Sequence, residues 1–186
     1  MREGSNGART RPGGGGWVRA DPERVAVLVR GAQRGDSMAM QELLDLLAPY
    51  VGRLCGPIAL EDGPDAAQET LIAVFRGISR LREPAALFGW VRAIAIREAV
   101  RTARRSAAPA EPLDLDTVPR TDDPQLAADI HDLLDRLSPE HRAVLVLRDV
   151  EGLDERTVSE MLHVSAGTVK SRLHRARKSF RKAWQG

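Results

Sequence analysis

The sequence predicts an all-α protein in which a flexible acidic linker joins two small helical domains. Apolar residues recur three and four positions apart along most of the chain, as they do on one face of a helix. Ala, Leu and Arg dominate and aromatic residues make up only 4%, a composition that favours helices over strands. Residues 106–124 contain four prolines and five acids against one arginine, without helical periodicity, so we expect the linker there.

The first domain is predicted over residues 21–105 as four helices. It follows residues 1–20, which are rich in Gly and Arg and are expected to form a disordered tail. The first helix is predicted over 22–34. Asp36 is the expected N-cap of a longer second helix, which the Asp-Gly-Pro sequence at 62–64 ends.

Asp65 is the expected N-cap of the third helix, and the fourth helix is predicted over 87–105. The apolar residues of the third helix have helical spacing and predict its inner face: Leu71, Val74, Phe75 and Ile78. The fourth helix carries five arginines against the single acid Glu98, so the domain ends on a basic edge. These arginines are Arg92, Arg97, Arg101, Arg104 and Arg105.

The second domain is predicted over residues 125–186, and it contains a helix-turn-helix pattern. A helix over 139–150 has Ser138 as its N-cap and Gly152 after its end. A short helix from Asp154 follows, and the last helix begins after a break at 163–165, capped by Ser165 or Thr168.

The last helix is strongly basic. Residues 165–186 contain seven Lys or Arg and no acid, although the whole chain has a net charge of only +2. At 100° per residue, six polar residues fall opposite its apolar stripe: Ser171, His174, Arg175, Lys178, Arg181 and Lys182. A short helix with a cationic outer face suits the major groove of DNA.

Composition argues against catalysis, metals and membranes. We expect no enzyme activity, cofactor or metal site, because no phosphate-binding loop, nucleophile elbow or His/Cys cluster is present. Cys55 is the only cysteine and is expected to be a buried apolar residue. No stretch approaches the roughly 20 apolar residues of a membrane span, and the N-terminus lacks a secretory signal. We therefore expect a cytoplasmic protein that is not inserted into a membrane.

Four stretches together make the chain resemble the extracytoplasmic-function (group IV) sigma factors of bacterial RNA polymerase. They are 65–71 (DAAQETL), 88–95 (FGWVRAIA), 137–142 (LSPEHR) and 167–177 (GTVKSRLHRAR). Their order and spacing carry the resemblance over about residues 24–184. The resemblance implies a factor that binds core polymerase, recognises two promoter elements and helps to melt the duplex.

The resemblance also implies roles for residues of the first domain. Asp65, Gln68 and Glu69 match the polar positions that dock on the clamp helices of the polymerase β′ subunit. The downstream promoter element, called minus ten, would contact Arg80, Leu81, Arg82, Trp90 and Arg97. Leu81 stands where relatives often have an aromatic residue beneath a flipped base, and Arg97 where they usually have Asn.

The second domain would bind the polymerase β flap and the upstream promoter element, called minus thirty-five. The matching positions are Thr168, Lys170, Ser171, Arg172, His174 and Arg175. Four positions depart from the usual pattern: Glu155, Thr157, Ser159 and His163, the last in place of a turn glycine. Promoter DNA is thus an expected partner, and an anti-sigma factor is a further partner that the resemblance leaves open.

Two other functions remain alternatives at this point. The first is a helix-turn-helix regulator that binds DNA without polymerase, which should shift duplex DNA by itself. The second is an anti-sigma or adaptor protein, although the zinc signature of many anti-sigma factors is absent.

Overall fold

The computed structural model describes residues 21–106 and 125–185, and within them the chain forms eight α-helices and short 3-10 turns. The predicted tail and linker lie outside the described residues. The all-α class is confirmed. The helices are α1 (Pro22–Gln33), α2 (Ser37–Ala59), α3 (Gly63–Gly77), α4 (Leu87–Ser106), α5 (Gln125–Asp135), α6 (Pro139–Leu145), α7 (Glu155–Leu162) and α8 (Ala166–Gln185).

Side-chain caps begin the first two helices. The Asp21 carboxylate accepts a hydrogen bond from the Glu23 amide at the start of α1. Asp36 caps α2 as predicted, because its carboxylate accepts from the amides of Met38 and Ala39 at 2.9 and 3.1 Å. The caps fix where the chain turns between α1 and α2, which pack against each other.

The start of α3 differs from the prediction. The helix begins at Gly63, so Asp65 lies inside its first turn and is exposed instead of forming the N-cap. A Cβ added to Gly63 would lie 3.0 Å from the Gly56 Cα, which shows how closely α2 and α3 approach. Before this contact, Leu60 has φ 54° and ψ −119°, a left-handed conformation that is strained for a residue with a side chain.

The predicted inner face of α3 is wrong at one position. Val74 and Ile78 are buried, and Leu71 is half-buried, but Phe75 is 56% exposed. Phe75 lies at the edge of the apolar stripe, and helical spacing alone does not decide whether an edge residue finds a neighbour to pack against.

The segment Ser37–Arg80 was not expected to resemble a membrane span, yet its best 18-residue window has a mean hydropathy of 1.3 and meets the length and composition criteria. Its position in the fold explains this property. Leu43, Leu47 and Val51 of α2 are fully buried in the protein core, and α2 packs on α1, α3 and α4. The apolar character therefore belongs to the core helix of a globular domain.

The second half of the described chain has the predicted helix-turn-helix. The Ser138 hydroxyl caps α6, which continues as one wider π-helical turn, Val146–Val150. The Asp154 side chain caps α7, and Ser165 caps α8 by accepting from the Thr168 amide at 3.1 Å. Both α6 and α7 pack against α8.

The two groups of helices also pack against each other. Helix α6 contacts both α2 and α4, and one continuous set of buried apolar residues runs from α1 to α8. Within the described residues the two groups of helices therefore share one core, and α6 packs on the basic helix α4.

Candidate nucleic-acid and polymerase interfaces

Helix α8 presents a polar face to solvent. Val169, Leu173 and Ala176 are buried and seat the helix on α6 and α7. The opposite side carries four of the residues predicted for the upstream element, and all four are exposed: Lys170, Ser171, His174 and Arg175. Side chains in this arrangement are accessible to base edges and phosphates in a groove.

Two other residues predicted for this interface have different surroundings. The Thr168 hydroxyl lies 2.9 Å from the Ser165 hydroxyl, so Thr168 takes part in the helix cap. Arg172 is half-buried and lines a cavity between α8 and α4. Burial lowers the pKa of the neighbouring His141, and the charges of Arg172 and Arg175 lower it further. These two guanidinium groups therefore create a local positive field on one flank of α8.

The turn before α8 is held in a strained conformation. His163 has φ 53° and ψ 43°, in the left-handed region that the missing turn glycine would adopt without strain. The adjoining helix α7 is fixed at its start by Asp154, which accepts from both the amide and the hydroxyl of Thr157 at 2.8 and 3.1 Å. These hydrogen bonds lower the pKa of Asp154.

The loop predicted to read the downstream element exposes its charges but not its apolar residue. Arg80 and Arg82 are exposed, whereas the Leu81 side chain is only 7% exposed and belongs to the core. The Gln33 amide nitrogen donates to the carbonyls of Ile78 and Leu81 at 3.0 and 2.7 Å. In this conformation Leu81 is closed off from a flipped base, in contrast to the role implied by the resemblance.

Trp90 and Arg97 lie on α4. Trp90 is half-buried, and a Cβ added to Gly77 would lie 3.1 Å from its ring, so the indole covers the end of α3. Arg97 is exposed and lines the cavity that Arg172 lines from the other side. The predicted downstream set is therefore divided between the loop and α4.

The predicted polymerase-binding residues share one exposed face of α3. Asp65, Gln68 and Glu69 are all exposed, and Glu69 lies 3.7 Å from Arg101 of α4. Phe75 is seven residues beyond Gln68 and so lies on the same side of the helix, two turns along. We call the surface formed by these three polar residues and Phe75 the α3 face.

A polar cluster that the sequence did not reveal crosses between the two halves of the chain. A Glu151 carboxylate oxygen accepts from the Arg92 guanidinium at 2.8 Å and from the Tyr50 hydroxyl at 3.3 Å. Burial raises the pKa of Tyr50, and the negative charge of Glu151 raises it further. The Tyr50 ring also packs edge-on against Phe88, with centroids 5.6 Å apart.

The cavity between α4 and the helix-turn-helix has a volume of about 480 Å³. Arginines contribute most of its polar wall: Arg97, Arg101, Arg104, Arg105 and Arg172. Within the described ranges, an ion pair between Arg104 and Glu140 also crosses this space. The arginine-rich surface of α4 thus faces Arg172 of α8 across the cavity.

The described residues contain no group of three or more His, Cys, Asp or Glu that could hold a metal ion. Cys55 is buried as predicted, and burial raises the pKa of its thiol to about 11, so it is a poor nucleophile near neutral pH.

Comparison with known proteins identifies the family. Residues 127–180 match the family described as sigma-70, region 4. The ECF RNA polymerase sigma factor SigE of Mycolicibacterium smegmatis is 36% identical over 181 residues, which cover 89% of this chain and 70% of that protein. SigM of Mycobacterium tuberculosis H37Rv is 34% identical, covering 88% of this chain and 84% of that protein.

The fold has a solved counterpart. CnrH, in its complex with the cytosolic domain of CnrY, matches with a TM-score of 0.58 at 20% identity, over 86% of this chain and 94% of CnrH. The chain belongs to the extracytoplasmic-function sigma factors of RNA polymerase. It acts as a sigma factor in transcription initiation, and the alternative of a regulator that works without polymerase is not favoured.

Proposed function

We propose that α8 reads the upstream promoter element through Lys170, Ser171, His174 and Arg175. Their exposure on the face opposite the buried stripe supports this role. Arg175 is suited to bidentate recognition of a guanine, and Lys170 to a phosphate. Thr168 contributes by holding the helix N-terminus in place, where backbone amides bind a phosphate.

The downstream element is contacted by the loop and by α4. Arg80, Arg82 and Arg97 supply cationic contacts to the non-template strand, and Trp90 offers a partly exposed ring for stacking. The burial of Leu81 changes its proposed role from base contact to support of the loop. Melting of the promoter duplex then depends more on the charges of these arginines and on the Trp90 ring than on a base-binding pocket at Leu81.

The α3 face docks on the polymerase β′ clamp helices, and the second domain docks on the β flap. Asp65, Gln68 and Glu69 suit a basic partner, and Phe75 adds an apolar contact that is 56% exposed in the free chain. An exposed aromatic ring beside polar residues can serve as the apolar anchor of a protein interface.

The remaining proposals concern the setting of this activity. The protein acts in the cytoplasm, uses no cofactor and performs no bond chemistry, because promoter melting is driven by binding alone. An anti-sigma factor is a proposed partner, by analogy with CnrH, which has a related fold and is in complex with the cytosolic domain of CnrY.

The observation that carries the residue-level proposal is the exposed cationic face of α8. Runoff transcription tests it, using purified core polymerase and a promoter found by chromatin mapping. Arg175→Ala should reduce promoter binding by about 1–3 kcal/mol and relax preference at one base position. Arg156→Ala is the matched control, because Arg156 is 90% exposed and belongs to α7 instead of α8. Unchanged transcription by Arg175→Ala would remove Arg175 from the interface.

A further inference from the structure

The cavity between α4 and the helix-turn-helix is lined by two chemically different kinds of residue. Five arginines, four of them on α4, face it against the single acid Glu140. The apolar lining comes mainly from the end of α7 and the turn after it: Met161, Leu162 and Val164. The volume of about 480 Å³ lies within the range of small-ligand pockets. The cavity therefore suits a small ligand that has an anionic end and an apolar end.

The arginines of the cavity have more positive charge than the acids around them neutralise. Two of the five form ion pairs with glutamates, Arg101 and Arg104. Among the residues that the structure describes, no acid pairs with the other three: Arg97, Arg105 and Arg172. Like charges gathered around one cavity repel each other, and an anion bound between them removes that repulsion.

The strained turn residue lines the same cavity. His163 has φ 53°, although a glycine would adopt this conformation without strain. Strained residues cluster at ligand sites, where the side chain has a use that offsets the strain. Arg97 and His163 are also two of the positions at which the sequence departs from the family pattern, and both line this cavity. The strain and the unpaired arginines thus indicate a ligand at one place.

We propose that this cavity binds a small nucleotide of the nucleoside diphosphate class. Arg97, Arg105 and Arg172 hold its phosphates, because the planar guanidinium group matches phosphate oxygens with two parallel hydrogen bonds. The base packs against the apolar lining at Met161 and Val164, and a guanidinium plane can also stack on its face. The imidazole of His163 adds a donor to the phosphates.

The site is distinct from the surface proposed to read the upstream element. None of the four exposed α8 residues assigned to that surface lines the cavity, and a DNA duplex does not fit within its volume. Arg97 and Arg172 also belong to the proposed promoter contacts, so the nucleotide and the promoter are alternative occupants of these two side chains. That consequence rests on the proposed function, whereas nucleotide binding does not.

Calorimetric titration of the full-length protein at about 0.15 M salt tests the site. The probes are ADP and GDP, with pyrophosphate and adenosine as the two halves of the ligand. At least one diphosphate should bind about tenfold or more tightly than either half, and it should raise the unfolding temperature. The nucleotide assignment fails if neither diphosphate binds at concentrations up to about 1 mM, or if pyrophosphate binds as tightly as they do.

Substitutions in the two linings separate the ends of the ligand. Arg105→Gln should weaken binding of the diphosphate and of pyrophosphate about tenfold or more, and Met161→Gln should weaken the diphosphate alone. Arg156→Gln is the matched control, because it makes the same charge change at a residue that does not line the cavity. Circular dichroism checks the helicity of each variant. Equal losses in Arg105→Gln and Arg156→Gln would overturn the site in favour of general attraction to a positive surface.

His163→Gly provides a readout that a purely structural turn would not move. The variant should be more stable than the native protein, because the strain is relieved, and yet bind the diphosphate several-fold more weakly. Native affinity in His163→Gly would overturn the placement of the ligand beside the turn. These titrations contain neither polymerase nor DNA. A protein that binds the nucleotide but fails in runoff transcription would contradict the proposed function and leave the site intact.

Discussion

The side-chain amide of Gln33 donates a 2.7 Å hydrogen bond to the carbonyl of Leu81, and this bond ties the loop after α3 to the end of α1. A second bond from the same nitrogen reaches the Ile78 carbonyl at 3.0 Å. The backbone of the predicted downstream reader is therefore held from a distant helix, while its apolar side chain is buried beneath it.

Gln33→Ala should loosen this loop. Two carbonyls lose a donor, so the free energy of unfolding should fall by about 1 kcal/mol, and promoter opening should decrease with upstream binding unchanged. Thermal unfolding and permanganate footprinting of unpaired thymines measure the two effects. Gln41→Ala is the control, because Gln41 is an exposed residue of α2. Native opening by Gln33→Ala would mean that the loop does not limit melting.

Leu81 variants distinguish support of the loop from base capture. Because the side chain is 7% exposed, Leu81→Phe should overpack the core and lower stability by about 1–3 kcal/mol without improving promoter opening. If Leu81→Phe instead formed more open complex than the native protein, the residue at position 81 would lie beneath a flipped base, as the family resemblance implies.

Replacing the strained turn residue should stabilise the second domain. His163 adopts φ 53°, where a Cβ is unfavourable, so His163→Gly should raise the free energy of unfolding by about 1 kcal/mol. His163→Ala is the matched control, since it removes the imidazole but keeps the Cβ and the strain. Urea unfolding followed by circular dichroism compares them. Equal gains from both variants would assign the effect to the imidazole.

The stability of α7 should depend on pH through the ionisation of the Asp154 carboxylate. Its pKa is lowered in the folded protein by hydrogen bonds from Thr157. The stabilisation is therefore complete above the unfolded pKa of about 4, and it is lost as the pH falls through the lower folded-state pKa. Asp154→Asn keeps an N-cap but cannot titrate, so its urea midpoint should vary less between pH 2 and 6. If the urea midpoint of Asp154→Asn varied with pH as that of the native protein does, Asp154 would not be a source of the pH dependence.

Most local features of the structure were predictable from the sequence, with the N-cap at Asp65 as an exception, and contacts between distant residues were not. The caps at Asp36, Ser138 and Asp154 follow from side chains that bond amides two or three positions away. The left-handed turn at His163 follows from the pattern of the motif around it. By contrast, Glu151 accepts hydrogen bonds from Arg92 and Tyr50, which lie 59 and 101 positions away in the sequence. No local spacing of residues predicts such contacts.

The errors at Phe75 and Leu81 also arise from contacts that local spacing does not encode. Helical periodicity assigned Phe75 to the core, but the stripe it belongs to is wider than the surface that packs on α3, so the ring at its edge is left exposed. Leu81 was assigned to a surface role by its position in a family pattern. In this chain it is buried among core residues, and its backbone is bound by Gln33.

Phe75 provides the last prediction, because its ring is exposed beside the polar residues of the α3 face. Phe75→Ala should weaken core polymerase binding about tenfold or more, as expected for a hot spot that contributes about 2 kcal/mol. Stability should change little, since a ring that is 56% exposed contributes little to the core. Val27→Ala on α1 is the matched control, because Val27 is 65% exposed but lies on another helix. Titration of the fluorescently labelled protein with core polymerase measures the affinities, and Gln68→Ala and Glu69→Ala on the same face are measured in parallel.

If Phe75→Ala binds polymerase as the native protein does while Gln68→Ala and Glu69→Ala do not, the α3 face is a polar docking surface without an apolar anchor. If Phe75→Ala unfolds at lower urea, the ring packs against the protein in solution more than its exposure indicates.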